Sequence, residues 1–165
     1  MPGHPTTRGG PNPPVALSGD GQLWARVSAL HTRVGAAVRK VLRQRADIGF
    51  SEFLALIALA GSPLGELHMQ DLAEATLLNQ SSVSRLVVRL ERTGLTERRT
   101  CERDRRRVYT GITGAGRDVL ADALPAYEAA LRDTFGRLDV DGDLGPLLAK
   151  LRDRPPATAR VPSIG

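Results

Sequence analysis

Only one cysteine, Cys101, stands in the whole 165-residue chain, which excludes an internal disulfide and any zinc site built on several sulfur ligands. A reducing compartment is the simplest expectation. No stretch approaches the roughly 18 to 20 consecutive apolar residues that a membrane span requires, and Met1 to Gly21 lacks the apolar segment of a secretory signal. The expected location is therefore cytoplasmic, with no membrane partner. The three histidines and the scattered acids form no catalytic pairing or metal-ligand spacing. An enzyme is not expected, and neither a cofactor nor a metal is called for. Aromatics make up only 4% of residues, while Ala and Leu abound, a composition that favours helices.

Charge is unevenly placed. Between Arg85 and Arg107 nine arginines face four acids (Glu91, Glu97, Glu102 and Asp104), a surplus of five that equals the net charge of +5 of the entire chain. The remainder balances. A basic patch confined to one segment of a neutral body points to a polyanionic partner, above all nucleic acid, whereas dispersed charge would speak only to solubility.

Met1 to Gly19 holds five prolines and four glycines with almost no large apolar residue, and reads as a disordered tail. Arg154 to Gly165 carries three prolines and is expected to fray. One folded unit, about 20–153, lies between them.

From Leu23 the apolar residues Leu23, Val27, Leu30, Val34, Ala37 and Val41 recur at four and three, the seam of an amphipathic helix with Asp20 as its N-cap and Gly49 as its stop. A second helix, capped by Ser51, runs from Phe53 to the breaker Gly61-Ser62-Pro63. A short helix from Met69 to Thr76, a tight connection at Leu77-Leu78 and a longer helix capped by Asn79 come next. Val83, Leu86, Val87 and Leu90 form the buried stripe of that longer helix, leaving Ser81, Ser84, Arg85, Val88 and Arg92 opposite. Gly94 ends it.

Leu95 to Thr100 and Arg107 to Ile112 read as the two strands of a hairpin with a basic tip. Thr113 then caps a helix to about Leu138 whose apolar face is Val119, Leu120, Ala123, Leu124, Tyr127, Leu131 and Phe135, with Pro125 expected to bend it. A last helix lies near Pro146 to Arg152.

The predicted fold is mainly α with a small β-hairpin: a winged helix-turn-helix, about 50–113, flanked by helices at about 20–46 and 114–153. Ala73 is small enough to let the two helices of the motif approach closely. The short polar residues Gln80, Ser81, Ser82 and Ser84 suit entry into a major groove about 12 Å wide, and Arg85 and Arg89 can reach a guanine edge or the backbone. The hairpin tip, Arg103 to Arg107, suits a neighbouring minor groove, where narrow A·T-rich stretches attract arginine. Helix-start chemistry accounts for one or two of the serines, and a solvated loop is the plain alternative for the tip.

These residues resemble the MarR family of bacterial transcriptional regulators. The resemblance spans roughly Leu23 to Leu151 and is sharpest at Asp71-Leu72-Ala73, Ser84 to Val87, Arg89 to Leu95, and Glu102-Arg103-Asp104-Arg105-Arg106, with Thr113 and Gly116 entering the fifth helix as in the family. It implies a homodimer held by the first and last helices and a wing in which Arg106 enters the minor groove while Asp104 helps fix the loop. Val88 departs from it, standing where many members carry aspartate, and a thymine methyl then suits the valine. Gly111 departs too, at a wing-strand position that usually bears a side chain.

The resemblance further implies a crevice for a small anionic or aromatic effector between the dimerisation helices and the DNA-binding unit. Trp24, His31, Phe50, Phe53 and His68 are the candidates beside it, with core packing the favoured reading for Phe53. One urate-responsive branch pairs a first-helix tryptophan with an aspartate and arginines, for which Trp24, Asp71, Arg105 and Arg117 are the matching residues. Cys101 lies beside arginines, which would favour its thiolate, but a plain solvent-facing thiol is the simpler expectation. Together these features predict a sequence-specific, double-stranded-DNA-binding regulator on a pseudo-palindromic operator, and the resemblance alone implies that it is a ligand-responsive repressor; a non-sequence-specific architectural DNA-binding protein is the alternative.

Overall fold

The computed structural model describes residues 16–100 and 108–153. The expected N-terminal tail up to residue 15, the hairpin tip and the C-terminal segment from Arg154 lie outside them. In chain order the described elements are α1 (Gly19–Ala46), α2 (Phe50–Gly61), β1 (Glu66–His68), α3 (Met69–Thr76), α4 (Gln80–Arg92), β2 (Thr96–Thr100), β3 (Val108–Ile112), α5 (Gly114–Asp139) and α6 (Gly145–Arg152).

Two helix starts differ from expectation. Ser18, not Asp20, caps α1: its hydroxyl accepts from the Gly21 N–H at 3.2 Å, and Asp20 sits in the first turn, where a negative charge meets the positive helix end. The helix ends at Asp47, which is left-handed at φ 49°. Gly49 therefore opens α2 instead of closing α1. Glu52, three residues on, reaches back so that its Oε2 accepts the Gly49 N–H at 2.6 Å, and the expected cap Ser51 lies inside the first turn.

Leu77 also takes a left-handed backbone, φ 55°, and its successor closes the turn by donating from the Leu78 N–H to the Ala73 carbonyl at 3.0 Å. That reversal turns the chain from α3 into α4.

The expected hairpin is two strands of a three-stranded antiparallel sheet ordered β1-β3-β2. β1 pairs with β3 through Glu66↔Gly111, Leu67↔Thr110 and His68↔Tyr109, and the His68 and Tyr109 rings stack across the strands at 3.9 Å. Gly111 now has a physical reason. Glu66, Gly111 and Glu97 form one row across the sheet, and Arg99 lies over the glycine to reach Glu97 at 2.8 Å and Glu66 at 3.4 Å. A Cβ on Gly111 would come within 2.6 Å of the Arg99 Nε.

The main core joins α1 through α5 with β1 and β3. Phe53, Leu42, Leu56, Leu59, Leu72, Val83, Leu86, Val87 and Leu90 are fully buried, with Tyr127 of α5 closing on Phe53 at 4.8 Å between ring centroids. Phe53 is thus a core residue. On α5 the helix is continuous through Pro125, Ala123 is buried, and Val119, Leu120, Tyr127 and Leu131 pack on the core, but Leu124 faces solvent. A second cluster of Leu138, Leu144 and Leu148 fastens α6 to α1 through Leu30 and Val34. Asp141 supports that corner: Arg33 of α1 meets it at 2.7 Å and the Leu144 and Asp143 N–H groups donate to it, which together hold its carboxyl below the usual range.

At the entry to α5, Thr113 accepts from the Gly116 N–H at 3.0 Å while its hydroxyl donates to the Gly94 carbonyl at 2.7 Å. A Cβ on Gly116 would strike the Leu95 carbonyl oxygen, whereas one on Gly114, two residues earlier, meets nothing within 4 Å. Gly116→Ala is therefore expected to destabilise by about 1–3 kcal/mol, the range for overpacking. Gly114→Ala should be neutral or slightly stabilising, with urea denaturation of the pair giving the comparison.

Candidate nucleic-acid interface

Asn79 starts α4 by accepting through its Oδ1 from the Ser82 N–H and the Ser81 hydroxyl, both at 2.9 Å. With Val83, Leu86, Val87 and Leu90 turned into the core, the helical period places Gln80, Ser81, Arg85, Val88, Arg89 and Arg92 outside, while Ser82 and Ser84 are half-buried. Val88 is 45% exposed amid polar neighbours. The serine hydroxyls already have uses: Ser81 donates to Asn79, and Ser84 donates to the Gln80 carbonyl at 2.8 Å. Each has spent its one hydrogen, so what it offers outward is acceptor oxygen, matched to the amino groups of adenine or cytosine.

The arginine surplus divides in the folded chain. Arg89 donates from its Nε to Glu52 Oε1 at 3.0 Å, Arg98 does the same to Glu91 at 3.0 Å, and Arg99 spans two carboxylates of the sheet. Among the described residues Arg85 and Arg92 make no ion pair. The wing candidates Arg103, Asp104, Arg105, Arg106 and Arg107, together with Cys101, lie outside the described residues, in the segment joining Thr100 to its register partner Val108.

Two cavities adjoin this unit. One, of about 280 Å³, lies between α1, α2 and α5 with an almost wholly apolar lining that includes Val34, Val38, Tyr127 and Phe135. Of the expected crevice residues, His31 and Phe50 line it. Trp24 is 70% exposed on the first half of α1, Asp71 belongs to the first turn of α3, and Arg117 lies over Gly65, so the structure does not bring these three to the cavity. Burial pushes the Tyr127 hydroxyl above its ordinary pKa, aided by Glu128, and keeps it neutral.

The second cavity, of about 650 Å³, opens where the end of α1, the start of α2 and the end of α4 meet, with Arg39, Arg43, Glu52 and Arg89 on its walls. Sequence reasoning passed over Glu52. Its signal was local: a glutamate three residues after a glycine that follows a helix end. Burial pushes the Glu52 carboxyl up, but the Gly49 N–H, the hydrogen bond from Arg89 and the charges of Arg89 and Arg43 outweigh that and hold it below the ordinary carboxylate range.

Helix, left-handed turn, exposed helix and antiparallel strands between long flanking helices define a winged helix-turn-helix of the DNA-binding kind. Among the described residues no helix is long and apolar enough to cross a membrane, and no group of His, Cys, Asp and Glu is arranged to hold a metal. Residues 46–107 match the model of the MarR family. The chain is 26% identical over 95 residues to the transcriptional regulator HosA of Escherichia coli, covering 58% of this chain and 69% of that protein. It is similar to Sco3205, a MarR family transcriptional regulator from Streptomyces coelicolor solved in complex with DNA, at 27% identity and a TM-score of 0.68 over 88% of this chain and 96% of that one. CouR from Rhodococcus jostii RHA1, bound to p-coumaroyl-CoA, is 27% identical with a TM-score of 0.59, over 79% of this chain and 85% of that one. The chain is thus similar, in its central segment and in its fold, to the winged-helix transcriptional regulators of the MarR family.

The sign of the Glu52 shift yields a prediction. A carboxyl held low in the folded state contributes stability that is present above its unfolded pKa, about 4.3, and is lost as pH falls through the lower folded value. Glu52→Gln should therefore lower stability at pH 7 and narrow the gap to the parent as the pH drops below about 4. Chemical denaturation at a series of pH values measures it, and a gap independent of pH would contradict the assignment.

Proposed function

We propose that this regulator binds double-stranded DNA sequence-specifically as a homodimer, each protomer laying α4 in a major groove and its wing in the flanking minor groove of a pseudo-palindromic operator. The observation that carries the reading is the division of α4. One side is consumed by the core, and the other presents Gln80, Ser81, Arg85 and Val88, with Ser82 and Ser84 at its margin, on the outside of the unit. On this reading Arg103, Arg105, Arg106 and Arg107 supply the minor-groove and phosphate contacts, and Asp104 orients the loop. The structure of Sco3205 with DNA supports the partner class.

The dimer is supported by apolar surface that one chain leaves uncovered. Leu23 and Trp24 on α1 are 51% and 70% exposed, Val27 one turn on is also exposed, and Leu151 of α6 is exposed near the other end of the chain. A second copy seated there would bury them, and residues 20–153 would form the regulatory unit. Binding that occludes a promoter represses, in a cytoplasmic setting. A small anionic or aromatic effector in the apolar cavity beside His31 and Phe50 would shift the spacing of the two α4 helices and release DNA. The binding of p-coumaroyl-CoA by CouR supports that kind of control.

Selection from a random duplex pool, followed by titration of the enriched duplex against a scrambled one at physiological salt, tests the reading. Enrichment of a two-fold-symmetric sequence bound at least about 10³-fold more tightly than the scramble is expected. Equal affinity would favour an architectural protein. Arg85→Ala should relax preference at one base position at a cost of about 1–3 kcal/mol, whereas Arg106→Ala should weaken all duplexes and reduce the salt slope by about one.

A further inference from the structure

Arg85 and Arg89 are one turn apart on α4, yet they face different surroundings. Arg85 projects from the exposed side with no ion pair among the described residues. Arg89 turns to the second cavity, where Glu52 takes its Nε at 3.0 Å.

Glu52 is bonded on both oxygens. Oε2 accepts the Gly49 N–H at 2.6 Å and Oε1 accepts Arg89, so one carboxylate joins the first turn of α2 to the last turn of α4. Gly49 follows directly on Asp47 and the buried Ile48, and these three residues connect the long α1 to α2. The side chain of Glu52 is only 17% exposed, against 56% for Arg89, so the acid is the fixed end of the pair and the arginine the reaching end.

The rest of the inner side of α4 is aliphatic. Apolar burial determines which side of a helix faces inward, but it is non-directional and discriminates poorly against a small rotation or slide along the axis. A charge-assisted hydrogen bond to an anchored carboxylate does discriminate. Among the described residues, the other ion pair of α4 runs from Glu91 to Arg98 of β2, which moves with the sheet.

We propose that Glu52 is a positioning residue for the recognition helix, setting the orientation of α4 against the α1–α2 junction through Arg89. Arg89 then acts on DNA affinity through Glu52 and makes no DNA contact of its own. This rests on the reading that α4 enters the major groove.

The test measures affinity of the full chain for its pool-enriched duplex and for a scrambled duplex, at several salt concentrations. Glu52→Gln, Arg89→Gln, the double variant and Glu52→Asp are compared, the last keeping the charge and the helix start but falling short of Arg89. Glu52→Gln and Glu52→Asp should each weaken specific binding about five- to tenfold while leaving scrambled-duplex affinity as in the parent. The double variant should be no weaker than Arg89→Gln alone, and the dependence of log affinity on log salt should keep the parent slope. Specific binding unchanged in both Glu52 variants, additive losses, or a slope reduced by about 0.9 in Arg89→Gln, the signature of a lost phosphate contact, would overturn the proposal. Should Glu52→Gln fail to fold, Glu52→Asp carries the same comparison. A parent chain without sequence preference counts against the DNA reading itself, whereas preference kept in the Glu52 variants counts against positioning alone.

Discussion

Burial of one side of α4 is the constraint on which the other parts depend. Val83, Leu86, Val87 and Leu90 are removed from water together with Leu72 of α3, Phe53 and Leu56 of α2 and Leu42 of α1. At roughly 1.5–3 kcal/mol for each fully buried aliphatic side chain, the four form a group whose loss the domain could not absorb. Because the helical period is 3.6 residues, consuming that side leaves a narrow outer strip, and its chemistry is small, polar and basic. Core formation and the presentation of that small, polar and basic strip are the same event.

Electrostatics refine what that strip can do. Arg89, Arg98 and Arg99 serve as struts to Glu52, Glu91 and the Glu66–Glu97 pair, all partly exposed and individually worth little to stability. Their value lies in direction. They tie α4 to α2, to the sheet, and the sheet's three strands to one another, so that the strands leading to the wing are held in register with the helix. Ser81, exposed, and Ser84, half-buried, both donate locally, to Asn79 and to the Gln80 carbonyl.

Much of this was legible in the sequence wherever a pattern spans several turns. The stripe of α4, the Asn79 and Thr113 caps, and the span of α3 from Met69 to Thr76 all coincide with the structure, because periodicity and capping act on neighbouring residues. Elements decided by distant partners were not legible. β1 has three residues, too few for an alternation, and exists because β3 offers an edge to Glu66–His68. Gly49 looked like a stop, yet Glu52 makes it a start. Arg89 read as a DNA contact, and only its distance to Glu52, thirty-seven residues earlier, gives it another partner. Trp24 and Arg117 are similar: no local feature of the sequence reveals that one lies on open surface and the other over Gly65.

The central claim is that α4 occupies a major groove, with the strands that follow it directed at the adjoining minor groove. Methylation protection on the bound duplex separates the two grooves chemically, because guanine N7 lies in the major groove and adenine N3 in the minor. The account predicts two clusters of guanine N7 protection with centres about one helical turn apart, each bordered by protected adenine N3 positions. Protection confined to adenine N3, or spread evenly along the duplex, would contradict it.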